Sequence, residues 1–346
     1  MDEQHLPDLL RLRGSVVAAS DEFYAAKENL IKPNAPVFVP ETYDAKGQVY
    51  DGWETRRRRG PGGTLPDHAA SDWVIVRLGV PGVLRTIVVD TAFFTGNYPQ
   101  ACSVDACLAS GYPAAEELTA DAGRWREIVP RALLTGDARH SFKVNSGRRF
   151  THVRLNIFPD GGVARLHVHG EVVPDPALLE GLTFDLAALE NGADIAARSD
   201  QFYSAPRNVI SPGLSRVMGE GWETRRRRRA GYEWLVVRLT GRSVIQLAEI
   251  DTSWYRGNQP DFASLQILDA DSAPAATLAA ESAWRDLLPR VRLLPDTPHR
   301  FRADGGPATH VRLNIFPDGG VARLRLYGSL THDGLAALRR RWDDTA

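Results

Sequence analysis

THVRLNIFPDGGVARL occupies Thr151–Leu166 and recurs letter for letter at Thr309–Leu324. Within it Val153, Leu155 and Ile157 alternate with His152, Arg154, Asn156 and Phe158, a period of two that marks a half-buried strand. The Pro-Asp-Gly-Gly stretch at 159–162 reads as a turn and Val163–Val168 as the next strand. The segment is therefore expected to fold as a hairpin.

Working outward, the neighbouring motifs are also doubled, in the same order. DGWETRRRR at 51–59 returns as EGWETRRRR at 220–228, and SDWVIVRL at 71–78 as YEWLVVRL at 232–239. VDTAFFTGNYP at 89–99 matches IDTSWYRGNQP at 250–260, and DEFY at 21–24 matches DQFY at 200–203. The offset drifts from 179 at Asp21/Asp200 to 158 at Thr151/Thr309, so loops absorb the difference. So long a period is a tandem domain duplication and not a solenoid.

The expected organisation is a first repeat over 1–172, a linker over 173–183 with Pro and turn character, a second repeat over 184–330 and a helical tail over 331–346. Short alternating strands with turn-rich joins predict an all-β, tandem duplicated β-sandwich with a few short helices. Those helices are placed at Pro7–Arg13, at its counterpart Phe184–Glu190, and at Gly334–Asp344, where Leu335, Leu338 and Trp342 share a face.

The 346 residues suit two domains of ordinary size, and 43% hydrophobic with 25% charged residues is a globular composition. A net charge of -1 gives no global pull toward nucleic acid or an anionic membrane. The arginine runs Arg56–Arg59 and Arg225–Arg229 need a local reason instead, and neither nucleic acid nor membrane is expected as a partner. No apolar run is long enough for a transmembrane helix, and the N-terminus lacks the pattern of a signal peptide. Cys102 and Cys107 should lie on opposite faces of one strand, unpaired, which favours a reducing compartment and a cytoplasmic location.

In each repeat an acid follows a large aromatic, at Trp53-Glu54 and Trp222-Glu223. A carboxyl against apolar surface has a raised pKa, which suits a general acid; an ion pair with a nearby arginine is the structural alternative. Arg56 and Arg225 present forks suited to a carboxylate. Asp90 and Asp251 end a strand before a Gly-Asn loop and are candidate acids or turn-formers, while Asn97 and Asn258 are read as turn residues. His152, Arg154 and Asn156, with His310, Arg312 and Asn314, share one strand face and offer a proton shuttle with polar anchors, or a structural network. His167 and His169 have metal-pair spacing, but the second repeat has Arg325 and Tyr327 there, so no metal site is expected at them. Phosphate-loop, serine-hydrolase, H-E-x-x-H and cysteine-cluster motifs are all absent from the sequence.

Over residues 8–330 the chain resembles the allantoicase family. SDEFYAAKENLI at 20–31, DGWETRRRR at 51–59, DTAFFTGNYP at 90–99 and the doubled THVRLNIFPDGGVARL carry the likeness. The resemblance implies two jelly-roll domains of the galactose-binding-like kind. It implies hydrolysis of allantoate to ureidoglycolate and urea in allantoin and purine degradation. It further implies a homo-oligomer, with a trimer or hexamer as candidates.

That chemistry needs a general acid and base, an arginine for the substrate carboxylate and acceptors for ureido N–H groups. Glu54, Glu223, Asp90, Asp251, His152 and His310 are the catalytic candidates. Trp53, Trp222, Arg56, Arg225, Arg154, Arg312, Asn156 and Asn314 are the substrate-binding ones. The best-placed are Glu54 and Glu223 as acid/base, with Arg56 and Arg225 on the carboxylate. No cofactor is assigned, although a divalent metal on acidic loops stays open. Whether each repeat owns a site is also open. The competing readings are a carbohydrate-binding sandwich without catalysis and an inactive structural oligomer. The dense duplicated charge favours a small anionic ureide over a neutral sugar.

Overall fold

The structure, a computed structural model, describes residues 6–60, 62–63, 70–270 and 273–346. Residues 1–5 lie outside these, as do 67–69 of the stretch DHAAS at 67–71, which by its sequence lengthens the loop after the first arginine run relative to the second repeat. The chain divides into two compact units, the first running to Val173 and the second spanning Pro174–Asp344.

In the first repeat the organising element is the 19-residue strand Asp72–Asp90. Its first part pairs with Ser15–Ala19 on one side and with Arg149–Phe158 on the other. The register breaks between Arg77 and Gly82. Gly79 lies in this break, and an added Cβ there would sit 1.7 Å from the Leu12 carbonyl oxygen, so the backbones approach in a way only glycine allows. Beyond it, the same strand pairs with Arg165–Val172 and Arg139–Lys143. Ala101–Cys107 and Arg126–Leu133 extend the sheet past Arg149–Phe158. All these pairs are antiparallel, and the second repeat reproduces them around Glu233–Asp251. The architecture is a tandem duplicated jelly-roll sandwich.

The alternation seen in the sequence sets the core. Val74, Val76, Val153 and Leu155 are fully buried on the inner face, as are Leu235, Val237, Val311 and Leu313 in the second repeat. Each such side chain contributes roughly 1.5–3 kcal/mol by leaving water. Ile75, Cys107 and Leu118 form a smaller cluster on the outer face, with Trp73 and Trp125 against it. Cys102 pairs across from Ile157 and Cys107 from His152, so the two thiols face opposite ways; both are buried and free.

Three local expectations need correction. The strands flanking Pro159–Gly162 do not form a hairpin. Gly162–Val163 pairs with Trp53–Glu54, and Arg165–Val172 joins the far end of the long strand. The turn is instead pinned to a distant loop: the Gly162 N–H donates to the Asn97 carbonyl at 2.8 Å, and Gly161 takes φ +137° with Asn97 O 2.7 Å from where its Cβ would be. Pro7–Arg13 is a turn, not a helix. Asp8 Oδ1 accepts from the Leu10 and Val168 N–H groups, which ties the segment to a strand edge. Its counterpart begins as the short strand Phe184–Asp185, held likewise by Asp185 Oδ1 on Ala187 and Leu326. The C-terminal helix is present as His332–Asp344.

Candidate active site

The Gly-Trp-Glu-Thr motif is fixed from both sides. Trp53 is fully buried and donates its indole N–H to the Asp21 carbonyl at 2.8 Å; Trp222 does the same to Asp200 at 3.0 Å. Glu54 exchanges backbone hydrogen bonds with Ala25, while Thr55 Oγ1 accepts the Gly161 N–H at 3.2 Å. Glu54 has little freedom left except at its carboxyl. Neither tryptophan presents a ring face to solvent, so both support the acid from behind.

The Glu54 carboxyl is half-buried and accepts from Asn97 Nδ2 at 2.8 Å. Burial raises its pKa above the ordinary carboxyl value, and the Asn97 hydrogen bond only partly offsets this. Glu223 accepts from Asn258 Nδ2 at 2.7 Å, and its own N–H donates to Ser204 Oγ at 2.7 Å. Behind each pair stands an aromatic ring. Phe94 packs so closely on Gly162 that a Cβ there would lie 2.0 Å from the ring, and Tyr255 fills the same place against Gly320. The Tyr255 hydroxyl donates to the Met218 carbonyl at 2.9 Å; burial, then the Glu223 charge, raises its pKa. Asn97 and Asn258, read from sequence as turn residues, are thus partners of the acids. Their recurrence at the same step in both Gly-Asn loops was the available signal.

The arginines follow the two-residue strands Trp53–Glu54 and Trp222–Glu223 on irregular backbone, and their partners differ. Arg56 is held by Asp21, with Nε at 2.7 Å and Nη2 at 2.6 Å. Arg58 pairs with the buried Asp72, and Arg227 with Glu233. Arg225 differs: its backbone N–H takes Asp200, its guanidinium lies 4.4 Å above the Phe202 ring, and it has no acidic partner among the described residues. An open cleft of about 720 Å³ runs past Asp200, Phe202, Arg225 and Trp234.

Asp90 and Asp251 are buried and accept the N–H groups of Ala92 and Ser253, both at 2.8 Å. They hold the turn after the long strand. Next to them the buried Arg165, which no sequence signal singled out, spans Asp51 and the Asn34 carbonyl and so anchors the loop before Gly52.

The structure does not bring His152, Arg154 and Asn156 to Glu54. His152 is six residues back from Phe158, roughly 20 Å along the strand. Burial, then Arg77 and Arg124, lowers its imidazole to about 4; burial and Arg238 do the same to His310. Among the described residues each ring bonds only the adjacent threonine hydroxyl, at 2.9 Å. Arg154 and Asn156 share Asp105 on the outer sheet face, at 2.9 and 2.8 Å. In the second repeat Gln266 replaces that aspartate. Asn314 bonds Gln266 at 3.0 Å, and the buried Arg312 lies 4.5 Å from the Trp234 ring.

Two copies of one jelly-roll sandwich, each with a half-buried glutamate fixed by an asparagine at its turn end, define a duplicated β-sandwich enzyme. The model of the allantoicase repeat matches residues 9–173 and again 184–331. The chain belongs to the allantoicase family. It is 51% identical over 338 residues to a probable allantoicase of Streptomyces coelicolor, covering 96% of this chain and 87% of that one. It is 41% identical to the allantoicase of Dictyostelium discoideum, over 92% of this chain and 85% of the relative. The crystal structure of allantoicase from Saccharomyces cerevisiae aligns with a TM-score of 0.74 at 33% identity, over 94% of both chains.

Proposed function

We infer that this chain hydrolyses allantoate to ureidoglycolate and urea. Membership of the family along almost the whole chain carries the reaction. Intact urea as product requires cleavage at the central carbon, because water attack on a ureido carbonyl would release ammonia and carbon dioxide. The lone pair of the retained ureido nitrogen expels the other ureido group, which leaves as urea after taking a proton from a glutamic acid. Water then adds to the resulting acyliminium carbon and returns a proton to the same carboxylate. One water enters and one urea leaves.

Glu54 and Glu223 take the acid/base role in this reading. Burial supports it by keeping the Glu54 proton to higher pH, and Asn97 supports it by fixing the carboxyl's direction. Arg225 is the better of the two carboxylate-binding candidates, since Arg56 is already occupied by Asp21. Asp90 and Asp251 shape the adjoining turn. We place His152 and His310 outside the chemistry, because a neutral imidazole remote from the acid cannot relay its proton.

Homo-oligomeric assembly and a cytoplasmic location complete the proposal. The free cysteines fit a reducing compartment, and no helix among the described residues is long and apolar enough to cross a membrane. The deciding experiment is to incubate the protein with allantoate and quantify urea, ureidoglycolate and ammonia together. Equal urea and ureidoglycolate without ammonia is the expected result. Ammonia as primary product would overturn the bond assignment.

A further inference from the structure

Asp8, His167 and His169 come together in the first repeat, each offering one donor atom, and those atoms lie within 4.8 Å of one another. The two histidines share a face of Arg165–Val172, with ring centroids 6.0 Å apart and planes 14° from parallel. Asp8 arrives from the N-terminal turn, which is why the sequence spacing of the histidines alone did not reveal a ligand set. Asp8 Oδ1 is committed to the Leu10 and Val168 N–H groups, both at 3.1 Å. Its Oδ2 faces His167 Nδ1 at 2.9 Å. His169 Nδ1 lies 3.2 Å from the Leu6 carbonyl, so a proton there leaves Nε2 with the lone pair.

The second repeat fills the equivalent place differently. Asp185 is held by the same two backbone bonds, but its Oδ2 faces the Arg325 guanidinium at 3.4 Å, and Tyr327 stands where His169 does. A covalently attached cation serves the carboxylate there. In the first repeat two imidazoles, which are metal-ligand types, replace the arginine and tyrosine. Asp8 also has an arginine nearby: Arg11 Nε lies 3.4 Å from Oδ2, as far as Arg325 lies from Asp185, with Nη1 on the Ile31 carbonyl, so the two repeats differ in the imidazoles and not in the presence of a guanidinium.

We propose that Asp8, His167 and His169 bind a transition-metal dication of the Zn2+ type, which clips the N-terminal turn to the strand. Two imidazoles and one carboxylate suit Zn2+ or Co2+ and disfavour Mg2+ and Ca2+. Bonds of ~2.0–2.2 Å place tetrahedral donors about 3.3 Å apart. The Asp8–His167 pair at 2.9 Å is close to this. The widest separation must close by at most about 1.5 Å, within the reach of a ring rotation. Arg11 competes with the ion for Asp8 and weakens the site. The ion acts on stability, since Glu54 and Asn97 belong to other elements.

The test uses the full chain, stripped with EDTA and dialysed. Titration with Co2+ is followed by visible d–d absorption, and titration with Zn2+ by calorimetry and thermal unfolding. One Co2+ per chain, displaced by Zn2+ and accompanied by a higher Tm, is expected. His167→Gln and His169→Gln should each weaken binding at least tenfold, and the double variant should abolish it while urea release persists. Arg11→Gln should tighten it severalfold, by removing a positive charge that lies against Asp8. No Co2+ uptake by the wild-type chain at millimolar metal, or uptake unchanged in the folded double variant, would overturn the site.

Discussion

At Glu54 the carboxyl loses water to its surroundings and keeps one amide donor, Asn97 Nδ2. Its folded pKa is raised, so its stabilising contribution is fully present below the ordinary carboxyl value of 4.5 and is lost as pH rises through the folded value. Above the folded value the ionised form is therefore a cost to the fold. Glu54→Gln removes that cost and retains an acceptor for Asn97. Melting curves should show the variant at least as stable as wild type at pH 8, with the advantage shrinking toward pH 4. A variant clearly less stable at pH 8 would contradict the desolvation account. Arg225 invites a different measurement, because its fork faces no acidic partner among the described residues. Lysine there keeps the charge and loses the bidentate geometry. KM for allantoate should rise about tenfold or more, with kcat much less affected, as for a lost charge-assisted hydrogen bond of ~1.5–3 kcal/mol.

The turn 159–162 joins fold and site at the scale of elements. Gly162 lies beneath Phe94 and pairs with Glu54 across two short strands. Gly162→Ala forces the ring aside, at a cost of about 1–3 kcal/mol by overpacking, and shifts the acid with it. Denaturant midpoint and turnover should fall together; a stable variant with unchanged turnover would separate the turn from the site. The opposite end of the neighbouring strand carries the pH response. His152 and His310 fall from an ordinary 6.5 to about 4 in the fold, so the unfolded chain takes up protons first. Stability should drop as pH falls from about 6.5 to about 4, and the His152→Gln/His310→Gln protein should melt with a flatter profile across that window. These elements also show where the sequence was readable. Val153, Leu155 and Ile157 announce their strand and its inner face, because burial of one face imposes a period of two. The partner of that strand is not announced. Local turn residues imply a hairpin, but Gly162 donates to the Asn97 carbonyl and Gly161 packs against it, contacts made only when distant loops meet. The same long-range closure hid Asn97 as the partner of Glu54, and Asp8 as the neighbour of His167.

For the whole molecule, duplication raises the question of how turnover is divided. Both repeats preserve the acid–amide pair at nearly the same length, 2.8 Å at Glu54 and 2.7 Å at Glu223. They differ in the arginine two residues on: Asp21 occupies Arg56, while Arg225 lies over the Phe202 ring with no acidic partner for its guanidinium among the described residues. The proposed roles of Glu54, Glu223 and Arg225 therefore predict two sites of unequal substrate affinity, with the second repeat the stronger at low allantoate. Glu223→Gln should therefore cut kcat/KM more than Glu54→Gln, each single variant keeping a measurable share of urea release. The double variant should lose about 10²–10⁴-fold, the usual contribution of a positioned acid/base. Independent sites also require the losses in rate to add, since distant groups without shared partners do not couple. If one single variant is as inactive as the double, all turnover belongs to that repeat, and the other keeps its glutamate and asparagine only to hold its own turn in place.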